Sequence, residues 1–328
     1  MRRLGKTNLY VNEVGFGGIP IQRVDENTVR KIIDELINQG INFIDTARGY
    51  TVSEEYLGKA LENRREKFIL ATKSMARTYQ GMKEDIEISL KNLNTSYIDL
   101  YQCHNVPYGE NLDGAIKALL EAKEEGKIKH IGITSHSYEF LDELLDRNTI
   151  FETIQFPYNF IETKAEKLFA KAYEKEIGVI CMKPLAGGAL DNAKVALKYI
   201  LNNPHVSVVI PGMASPEEVK INGSVKSGEY NDEELKYIEE TRKVLDEDFC
   251  RRCGYCLPCT VGINIPGAFL FEGYYNRYNL KEWAVSRFKT LQVRPEECIE
   301  CGECESRCPY NLKIIQKLKK VAETFKGI

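Results

Sequence analysis

The sequence predicts a closed (β/α)8 TIM barrel followed by a small, mostly helical domain. Between about residues 10 and 230, eight short apolar runs alternate with amphipathic helical patterns, and beyond residue 230 the alternation stops. Such alternation indicates βα units that form a parallel sheet. Eight strands in about 200 residues is the number that closes a barrel.

The strand candidates are short apolar runs rich in β-branched residues. They cover residues 14–17, 41–45, 68–72, 98–103, 128–134, 153–156, 179–182 and 206–210. The helical patterns between them have apolar residues at three- and four-residue spacing. They cover residues 26–38, 82–93, 112–124, 138–145, 164–173 and 192–201. A doubly wound open sheet is the alternative, but residues 15–18, Gly-Phe-Gly-Gly, do not form the GxGxxG turn typical of that fold.

Both ends of the chain add to this pattern. Residues 4–9 predict a hairpin turn that plugs the floor of the barrel. Residues 232–247 predict a charged helix, and an amphipathic helix ends the chain after residue 312. We therefore assign residues 1–230 to the barrel and residues 231–328 to a helical domain that has too little core to fold well without metal.

Composition and charge limit the possible partners. The 328-residue chain is 43% hydrophobic and has a formal net charge of -3, with 45 basic and 48 acidic residues. It has no basic stripe of the kind that nucleic acid requires, so no nucleic-acid partner is expected. Because no apolar run approaches the roughly 20 residues that span a bilayer, and the first residues lack a signal peptide's apolar segment, we expect a cytoplasmic protein with no membrane contact.

Eight of the ten cysteines fall in two short runs. The runs are Cys250, Cys253, Cys256 and Cys259, and then Cys298, Cys301, Cys304 and Cys308, the last followed by Pro309. In a reducing compartment this density indicates metal rather than disulfides. The second run has the bacterial ferredoxin spacing, in which three thiolates hold one cluster and the fourth reaches the other. We therefore predict two 4Fe-4S clusters.

The ferredoxin crossover predicts two ligand sets. One is Cys250, Cys253, Cys256 and Cys308, and the other is Cys259, Cys298, Cys301 and Cys304. The first run departs from the ferredoxin pattern because Thr260, not proline, follows its fourth cysteine. Zinc is the alternative metal, but zinc sites typically use two cysteine pairs separated by a longer loop.

Four polar residues lie at or just after the ends of the second, third and fourth barrel strands. They are Asp45, Tyr50, Lys73 and His104. Chemistry in a (β/α)8 barrel occurs at the carboxyl ends of the strands. A nearby ammonium lowers the pKa of a phenol, so this set of residues can protonate a carbonyl oxygen at neutral pH.

In order and context, these four residues resemble the catalytic tetrad of the aldo-keto reductase family. Residues 4–18, LGKTNLYVNEVGFGG, resemble the opening of that family, and the similarity covers about residues 1–225. With the cysteine runs, the chain resembles the branch fused to a ferredoxin-like domain. The resemblance implies that Tyr50 is the general acid, that Lys73 lowers its pKa, that Asp45 pairs with Lys73 and that His104 orients the carbonyl. It also implies a carbonyl or alcohol substrate and a hydride from NADP or NAD.

The resemblance also implies a set of nicotinamide-cofactor contacts. They are Thr134, Ser135, Gln155, Met182, Lys183, Pro184, Gly212, Glu218 and Asn222. Met182 takes the place where the family usually stacks a tyrosine on the nicotinamide. Gly212 and Glu218 replace basic residues that would hold a 2′-phosphate. A preference for NADPH is therefore not implied, and NADH remains an alternative cofactor. Glu218 is alternatively a first-turn helix residue that favours the macrodipole.

The sequence leaves three functional hypotheses. The first is a nicotinamide-dependent reductase of carbonyls, or dehydrogenase of alcohols, that carries two clusters. The second is an electron-transfer oxidoreductase whose clusters exchange electrons with a flavin or a protein partner, because hydride moves electrons in pairs and a cluster moves them singly. The third is a non-catalytic redox sensor built on the barrel.

Overall fold

The computed structural model of the protein describes residues 1–147, 149–245, 248–252 and 254–328. The chain divides into two compact units. The first comprises Met1–Leu185 and Asn192–Glu229, and the second comprises Ala186–Asp191 and Tyr230–Ile328. Of the described helices, none combines the length and the apolar character needed to cross a lipid bilayer.

The first unit contains a two-stranded hairpin and an eight-stranded parallel sheet. The hairpin strands are β1 (Arg2–Arg3) and β2 (Tyr10–Val11). The parallel strands are β3 (Phe16–Gly17), β4 (Phe43–Asp45), β5 (Ile69–Ser74), β6 (Ile98–Cys103), β7 (Ile128–Thr134), β8 (Thr153–Pro157), β9 (Gly178–Met182) and β10 (Val208–Val209). Each pairs with its neighbour in chain order. The predicted parallel sheet is therefore present with all eight strands.

The sheet closes between its first and last strands. Val14 bridges Val209 in parallel, and the N–H of Gly17 donates to the carbonyl of Pro211 at 2.9 Å. This closure confirms the (β/α)8 barrel and excludes the open sheet. It also brings the carboxyl ends of all eight strands to one rim.

The hairpin fills the barrel floor, as the sequence predicts. Leu4 is fully buried in an apolar cluster with side chains from the barrel strands, among them Phe43 and Leu100. Gly5 has a φ of +54°, and a Cβ on it would lie 2.2 Å from the backbone nitrogen of Gly178. Only glycine fits where the hairpin turn meets strand β9.

The helices of the first unit cover the outside of the barrel. They are α1 (Glu26–Asn38), α2 (Ser53–Ala60), α3 (Tyr79–Asn92), α4 (Asp113–Glu124), α5 (Tyr138–Asp146), α6 (Glu166–Glu174), α7 (Ala193–Leu201) and α8 (Pro216–Gly223). Helix α1 begins after an N-capping residue and packs one apolar face against the barrel. The Asp25 carboxylate caps its first turn by accepting from the N–H of Thr28 at 2.7 Å, and its apolar face is buried.

Two helices are absent from the sequence prediction, and several strand ends differ from it by one or two residues. Helices α2 and α8 were absent from the predicted elements, because each has only eight residues and contains a glycine. Strand β5 runs to Ser74, two residues past its predicted end, so Lys73 lies inside the strand rather than closing it.

The second unit is helical. Its helices are α9 (Asp232–Leu245), α10 (Ile265–Asn276), α11 (Lys281–Phe288), α12 (Glu303–Ser306) and α13 (Ile314–Thr324). The last two residues of the predicted helix 232–247 lie outside the described residues. Phe288 and Phe325 stack with ring centroids 4.0 Å apart in a core that also contains Cys256 and Cys304. The cysteine-bearing loops are thus joined to the small apolar core, which is the expected mostly helical domain.

Candidate active site and cluster sites

The structure brings the four predicted catalytic side chains to the carboxyl ends of three adjacent strands. Asp45 ends β4, and Tyr50 lies in the loop between β4 and α2. Lys73 is the penultimate residue of β5, and His104 directly follows β6. Strands β4, β5 and β6 are hydrogen-bonded neighbours, so residues far apart in sequence converge at one part of the rim.

Lys73 and Asp45 form a buried ion pair. Lys73 Nζ lies 2.6 Å from Asp45 Oδ1, and the two side chains are 1% and 3% exposed. The ammonium also donates to the Thr46 carbonyl at 2.6 Å. Burial lowers the pKa of Lys73, and the Asp45 charge opposes that change. Burial raises the pKa of Asp45, and Lys73 opposes it. Each group therefore keeps its charge mainly because the other is present.

Tyr50 lies close to both the Lys73 ammonium and the His104 imidazole. Lys73 Nζ is 4.9 Å from the centroid of the Tyr50 ring. The Tyr50 and His104 rings meet edge to face, with centroids 5.9 Å apart and an interplanar angle of 85°. Tyr50 and His104 are both only partly buried. A phenol, a cation and an imidazole thus lie close together at the rim of the barrel, an arrangement that can deliver a proton to a carbonyl oxygen.

The loop that carries Tyr50 is fixed on both sides of the tyrosine. The Thr46 and Ser53 hydroxyls are 2.8 Å apart, and the Ser53 hydroxyl also donates to the Gly18 carbonyl. The backbone N–H of Arg48 donates to the Lys73 carbonyl at 2.9 Å. Because these hydrogen bonds already hold the loop, it loses little further conformational entropy when the Tyr50 hydroxyl contacts a substrate.

Two glutamines belong to this site, one of which the sequence analysis missed. Gln102 Nε2 donates to Asp45 Oδ2 at 3.3 Å, and Gln155 also hydrogen-bonds the Asp45 carboxyl. Gln102 pairs in register with Lys73 on the adjacent strand. A polar residue at an inward-facing strand position was the available signal for Gln102. Among the described residues, the Oε1 atoms of Gln102 and Gln155 are buried without a hydrogen-bond partner.

Thr134 and Ser135 lie at the end of β7 and are buried. Thr134 Oγ1 accepts from the backbone N–H of Asn105 at 2.7 Å. Ser135 Oγ donates to the Val106 carbonyl at 2.6 Å. Both hydroxyls therefore hold the loop after β6, the loop that begins with His104.

Three further predicted cofactor residues stand together at the end of β9. Met182 closes that strand and is partly exposed, and Pro184 is buried. Lys183 has a φ of +55°, and its carbonyl accepts from Asn159 Nδ2 at 3.1 Å. The chain turns sharply here, at the same rim as the other site residues.

The remaining three residues follow β10. A Cβ on Gly212 would lie 2.7 Å from Pro20 Cγ, which is a steric reason for glycine there. Glu218 Oε2 accepts from the N–H of Ala214 at 2.6 Å, and Ser215 Oγ accepts from the Glu218 N–H, so the Glu218 side chain is held at the N-terminus of helix α8. Asn222 is buried near the end of that helix.

Seven described cysteines of the two runs line two separate cavities in the second unit. One cavity is lined by four of them. They are Cys259, Cys298, Cys301 and Cys304. The other is lined by Cys250, Cys256 and Cys308. Cys253 lies outside the described residues. Cys259 thus stands with the second run and Cys308 with the first.

The surroundings of these cavities suit metal clusters. Ile265 contacts both cavities, and apolar side chains such as Leu318 complete the walls. Within the described ranges, no three His, Cys, Asp or Glu side chains converge tightly enough for one metal ion. A four-iron cluster is larger than an ion, so its thiolates surround a cavity rather than a point.

One arginine joins the two cysteine runs. Arg307, beside Cys308, donates to the carbonyls of Cys256, Leu257 and Pro258 at 3.2, 3.3 and 2.8 Å. Its guanidinium spreads several fixed donors over one loop, which a lysine could not do. The first run therefore depends on a side chain of the second for its conformation.

The cysteine thiols differ in exposure. Cys301 is exposed, and hydrogen bonds from the Thr260 hydroxyl and the Glu303 backbone N–H lower its pKa. Burial raises the pKa of Cys304. The two cysteines outside the runs, Cys103 and Cys181, are fully buried in the barrel, and burial raises the pKa of Cys103 to about 12. They are small hydrophobic core residues, as the sequence indicates.

These features define the class of protein, a (β/α)8-barrel oxidoreductase with an iron-sulfur domain. Residues 13–194 match the aldo/keto reductase family, and residues 249–313 match the 4Fe-4S dicluster domain. The chain belongs to the aldo/keto reductase family. The expected fusion of such a barrel with a C-terminal iron-sulfur domain is thereby confirmed.

Individual relatives cover most of the barrel. An uncharacterized oxidoreductase of Bacillus subtilis, YqkF, is 29% identical, and the match covers 74% of this chain and 96% of the relative. L-galactose dehydrogenase of Arabidopsis thaliana is 30% identical, and the match covers 68% of this chain and 86% of the relative. The solved structure of aldo-keto reductase AKR11C1 from Bacillus halodurans is similar with a TM-score of 0.64 and 31% identity, covering 73% of this chain and 95% of its own.

Proposed function

We propose that the protein transfers hydride between NAD(P)H and a small carbonyl or alcohol substrate, with Tyr50 as the general acid. The observation that supports this most directly is the position of Tyr50. Its ring lies 4.9 Å from the Lys73 ammonium and 5.9 Å from the His104 ring. A cation beside a phenol favours loss of the phenolic proton, which is what a donor to a carbonyl oxygen needs at neutral pH.

Each member of the set has a distinct role in this proposal. Lys73 stabilises the phenolate that remains after proton transfer. Asp45 holds Lys73 in its charged form and in position, through the 2.6 Å contact. His104 orients the substrate oxygen toward the Tyr50 hydroxyl. In the reverse direction, the same groups remove the proton from an alcohol.

The cofactor residues fit a nicotinamide. The buried Gln155 Oε1 has no hydrogen-bond partner among the described residues, and a carboxamide N–H would supply one. Thr134, Ser135 and Met182 lie at the ends of β7 and β9, on the same rim. When bound, the nicotinamide supplies the hydride. Gly212 and Glu218 offer no cation for a 2′-phosphate, which favours NADH over NADPH.

In the second unit we propose two 4Fe-4S clusters. One would be held by Cys250, Cys253, Cys256 and Cys308, and the other by Cys259, Cys298, Cys301 and Cys304. The two cysteine-lined cavities support this division. Thiols must remain reduced to bind iron, so we also propose that the protein works in the cytoplasm.

The test is a set of anaerobic measurements on the full chain. We expect the protein to bind NADH and NADPH with measurable fluorescence changes and to consume one of them in the presence of small aldehydes. Glu218→Ala should raise the affinity for NADPH relative to NADH, with Glu217→Ala, an exposed neighbour, as the control. Failure to bind either nucleotide would exclude the proposed activity.

Electron transfer to a partner is the second candidate function, and the exposure of Cys301 favours it. A cluster reached from solvent can exchange single electrons with a protein or a flavin. We expect dithionite-reduced protein to reduce a one-electron dye at a rate that Cys301→Ser lowers. An unchanged rate in that variant would remove this route.

A further inference from the structure

A second charged network lies beneath the loop that carries Tyr50, and none of the roles proposed above uses it. Its centre is Glu54 on helix α2, which is 1% exposed. A buried carboxylate is costly unless other groups neutralise and hydrogen-bond it. The burial of Glu54 therefore suggests a role for its charge, which a glutamate on the surface would not.

Four side chains from three parts of the barrel hold the Glu54 carboxylate. Thr72 of β5 and Ser89 of α3 donate to Oε1 at 2.7 and 2.8 Å, and both are fully buried. Arg48 Nη1, from the Tyr50 loop, donates to Oε2 at 2.9 Å. Asn92 of α3 approaches the same oxygen at 3.4 Å. The carboxylate is thus fully hydrogen-bonded and fixed in place.

This network touches the catalytic set at two points. The charge of Glu54 acts on the Lys73 ammonium, where it opposes the fall in pKa that burial causes. Thr72, which donates to Glu54, is the residue before Lys73 on β5. Arg48, the partner of Glu54, is two residues from Tyr50 and donates its backbone N–H to the Lys73 carbonyl.

We propose that Glu54 is a positioning residue whose buried charge, balanced by Arg48, sets the proton affinity of the Tyr50 hydroxyl through Lys73. This inference rests on Tyr50 being the proton donor of the proposed function. The carboxylates of Asp45 and Glu54 both act on the buried Lys73 ammonium, and the Arg48 guanidinium offsets the charge of Glu54. Removing either member of the Glu54–Arg48 pair changes this balance in a known direction.

Tyr50 and other ionisable groups lie around the Glu54–Arg48 pair, and the charges of these other groups also affect the ionisation of Tyr50. They are Asp45 on β4, Tyr50 in the loop after it, Asp85 on α3, Tyr101 on β6 and His104 after β6. Asp85 lies 3.4 Å from Arg48 Nε and accepts from the Ser74 hydroxyl. Tyr101 contacts Ser89 at 3.2 Å, and burial raises its pKa well above the ordinary value.

The signs follow from simple electrostatics. Loss of the Glu54 charge leaves the Tyr50 surroundings more positive, so the phenolate is favoured and Tyr50 titrates at lower pH. Loss of the Arg48 charge has the opposite effect. Glu54→Gln keeps the shape of the side chain and the oxygen that accepts from Thr72 and Ser89, and it replaces the oxygen that accepts from Arg48 with an amide nitrogen. We expect this variant to lower the pH at which Tyr50 titrates by about one unit. A purely structural role would not produce shifts of opposite sign.

The experiment measures Tyr50 ionisation directly. Ultraviolet difference absorbance of each variant is titrated against the same variant carrying Tyr50→Phe, which isolates one phenol among 18 tyrosines. Glu54→Gln should lower the midpoint, Arg48→Met should raise it, and Glu55→Gln, an exposed neighbour on the same helix, should leave it unchanged. The alkaline limb of kcat/KM for aldehyde reduction should move with the midpoint.

Two results would overturn the inference. One is an unchanged midpoint in folded Glu54→Gln, and the other is a shift of the same sign in both variants. If Glu54→Gln does not fold, Asp85→Asn replaces it in the experiment. We expect Asp85→Asn to lower the Tyr50 midpoint by a smaller amount, and an unchanged midpoint would contradict the inference. Shifted absorbance midpoints with no reductase activity in the unsubstituted protein would instead reject the proposed function and leave the charge coupling intact.

Discussion

Lys73 and Asp45 lie 2.6 Å apart with almost no exposure to solvent, although 28 positions separate them in the sequence. Strand β5 contributes the ammonium and strand β4 the carboxylate. Burial opposes the charge on both groups. A pair of this kind adds little net stability and is retained where the charges are needed. The pair therefore serves the phenol that Lys73 approaches.

The first prediction concerns the stability of that pair. Asp45→Asn leaves a buried ammonium without its counter-charge and should lower the free energy of unfolding by about 3 kcal/mol. Adding Lys73→Met should restore most of the loss, because the double variant contains no uncompensated charge. Denaturant unfolding of the four proteins in a double-mutant cycle measures the coupling. Additive losses would show that the pair does not act as a unit.

The second prediction concerns the Tyr50 hydroxyl. Tyr50→Phe removes the proton donor but leaves the ring and its contacts, so kcat for aldehyde reduction should fall by about 100-fold or more. Nicotinamide binding, followed by fluorescence, should change little. Tyr56→Phe on helix α2 is a matched control and should retain activity. Normal turnover by the Tyr50 variant would assign the proton to another group.

The third prediction concerns acid stability away from the site. His130, Lys123 and the Ile131 N–H contact Glu152, and these contacts outweigh burial and lower its pKa from 4.5 to about 2. A lowered carboxyl pKa stabilises the fold above the unfolded value, and that stability is lost as pH falls from about 4.5 toward 2.

Glu152→Gln should therefore lower the free energy of unfolding at neutral pH by about 2 kcal/mol, with the difference disappearing near the acid end of that range. Glu176→Gln removes an exposed pair with Arg3 and should have little effect. Thermal unfolding followed across pH tests both. A Glu152 deficit that stays constant with pH would contradict the ionisation argument.

The fourth prediction concerns the clusters. Cys301→Ser should remove the iron of one cluster and keep that of the other, because the two cavities contain different cysteines. Cys308→Ser should remove the other cluster, although Cys308 belongs to the same run as Cys301. Iron and sulfide analysis with electron paramagnetic resonance would show two distinct residual spectra. Identical residual spectra in the two variants would contradict the crossover, and Cys103→Ala in the barrel serves as the control.

Asp45 and Gln102 contact each other, but only Asp45 is predicted from the sequence. Asp45 was found because a carboxylate at the end of an apolar run is unusual and the carboxyl ends of barrel strands meet at one rim. Gln102, which donates to the same carboxylate, was not found, because it is one polar residue within a strand and 57 positions away. The Gln102 side chain faces the inside of the barrel because of the register between its strand β6 and strand β5.

Four properties follow from the amino-acid sequence alone: the alternation of strands and helices, the number of strands, the cysteine spacing and the polar residues at strand ends. These properties depend on periodicity and spacing, which neighbouring residues express directly. Three contacts depend on the folded chain: Glu54 is buried against Arg48, Pro20 packs where a Cβ on Gly212 would lie, and Cys259 shares a cavity with the second cysteine run. Such contacts join residues distant along the chain, and their positions are fixed only when the barrel closes and the small helical core assembles.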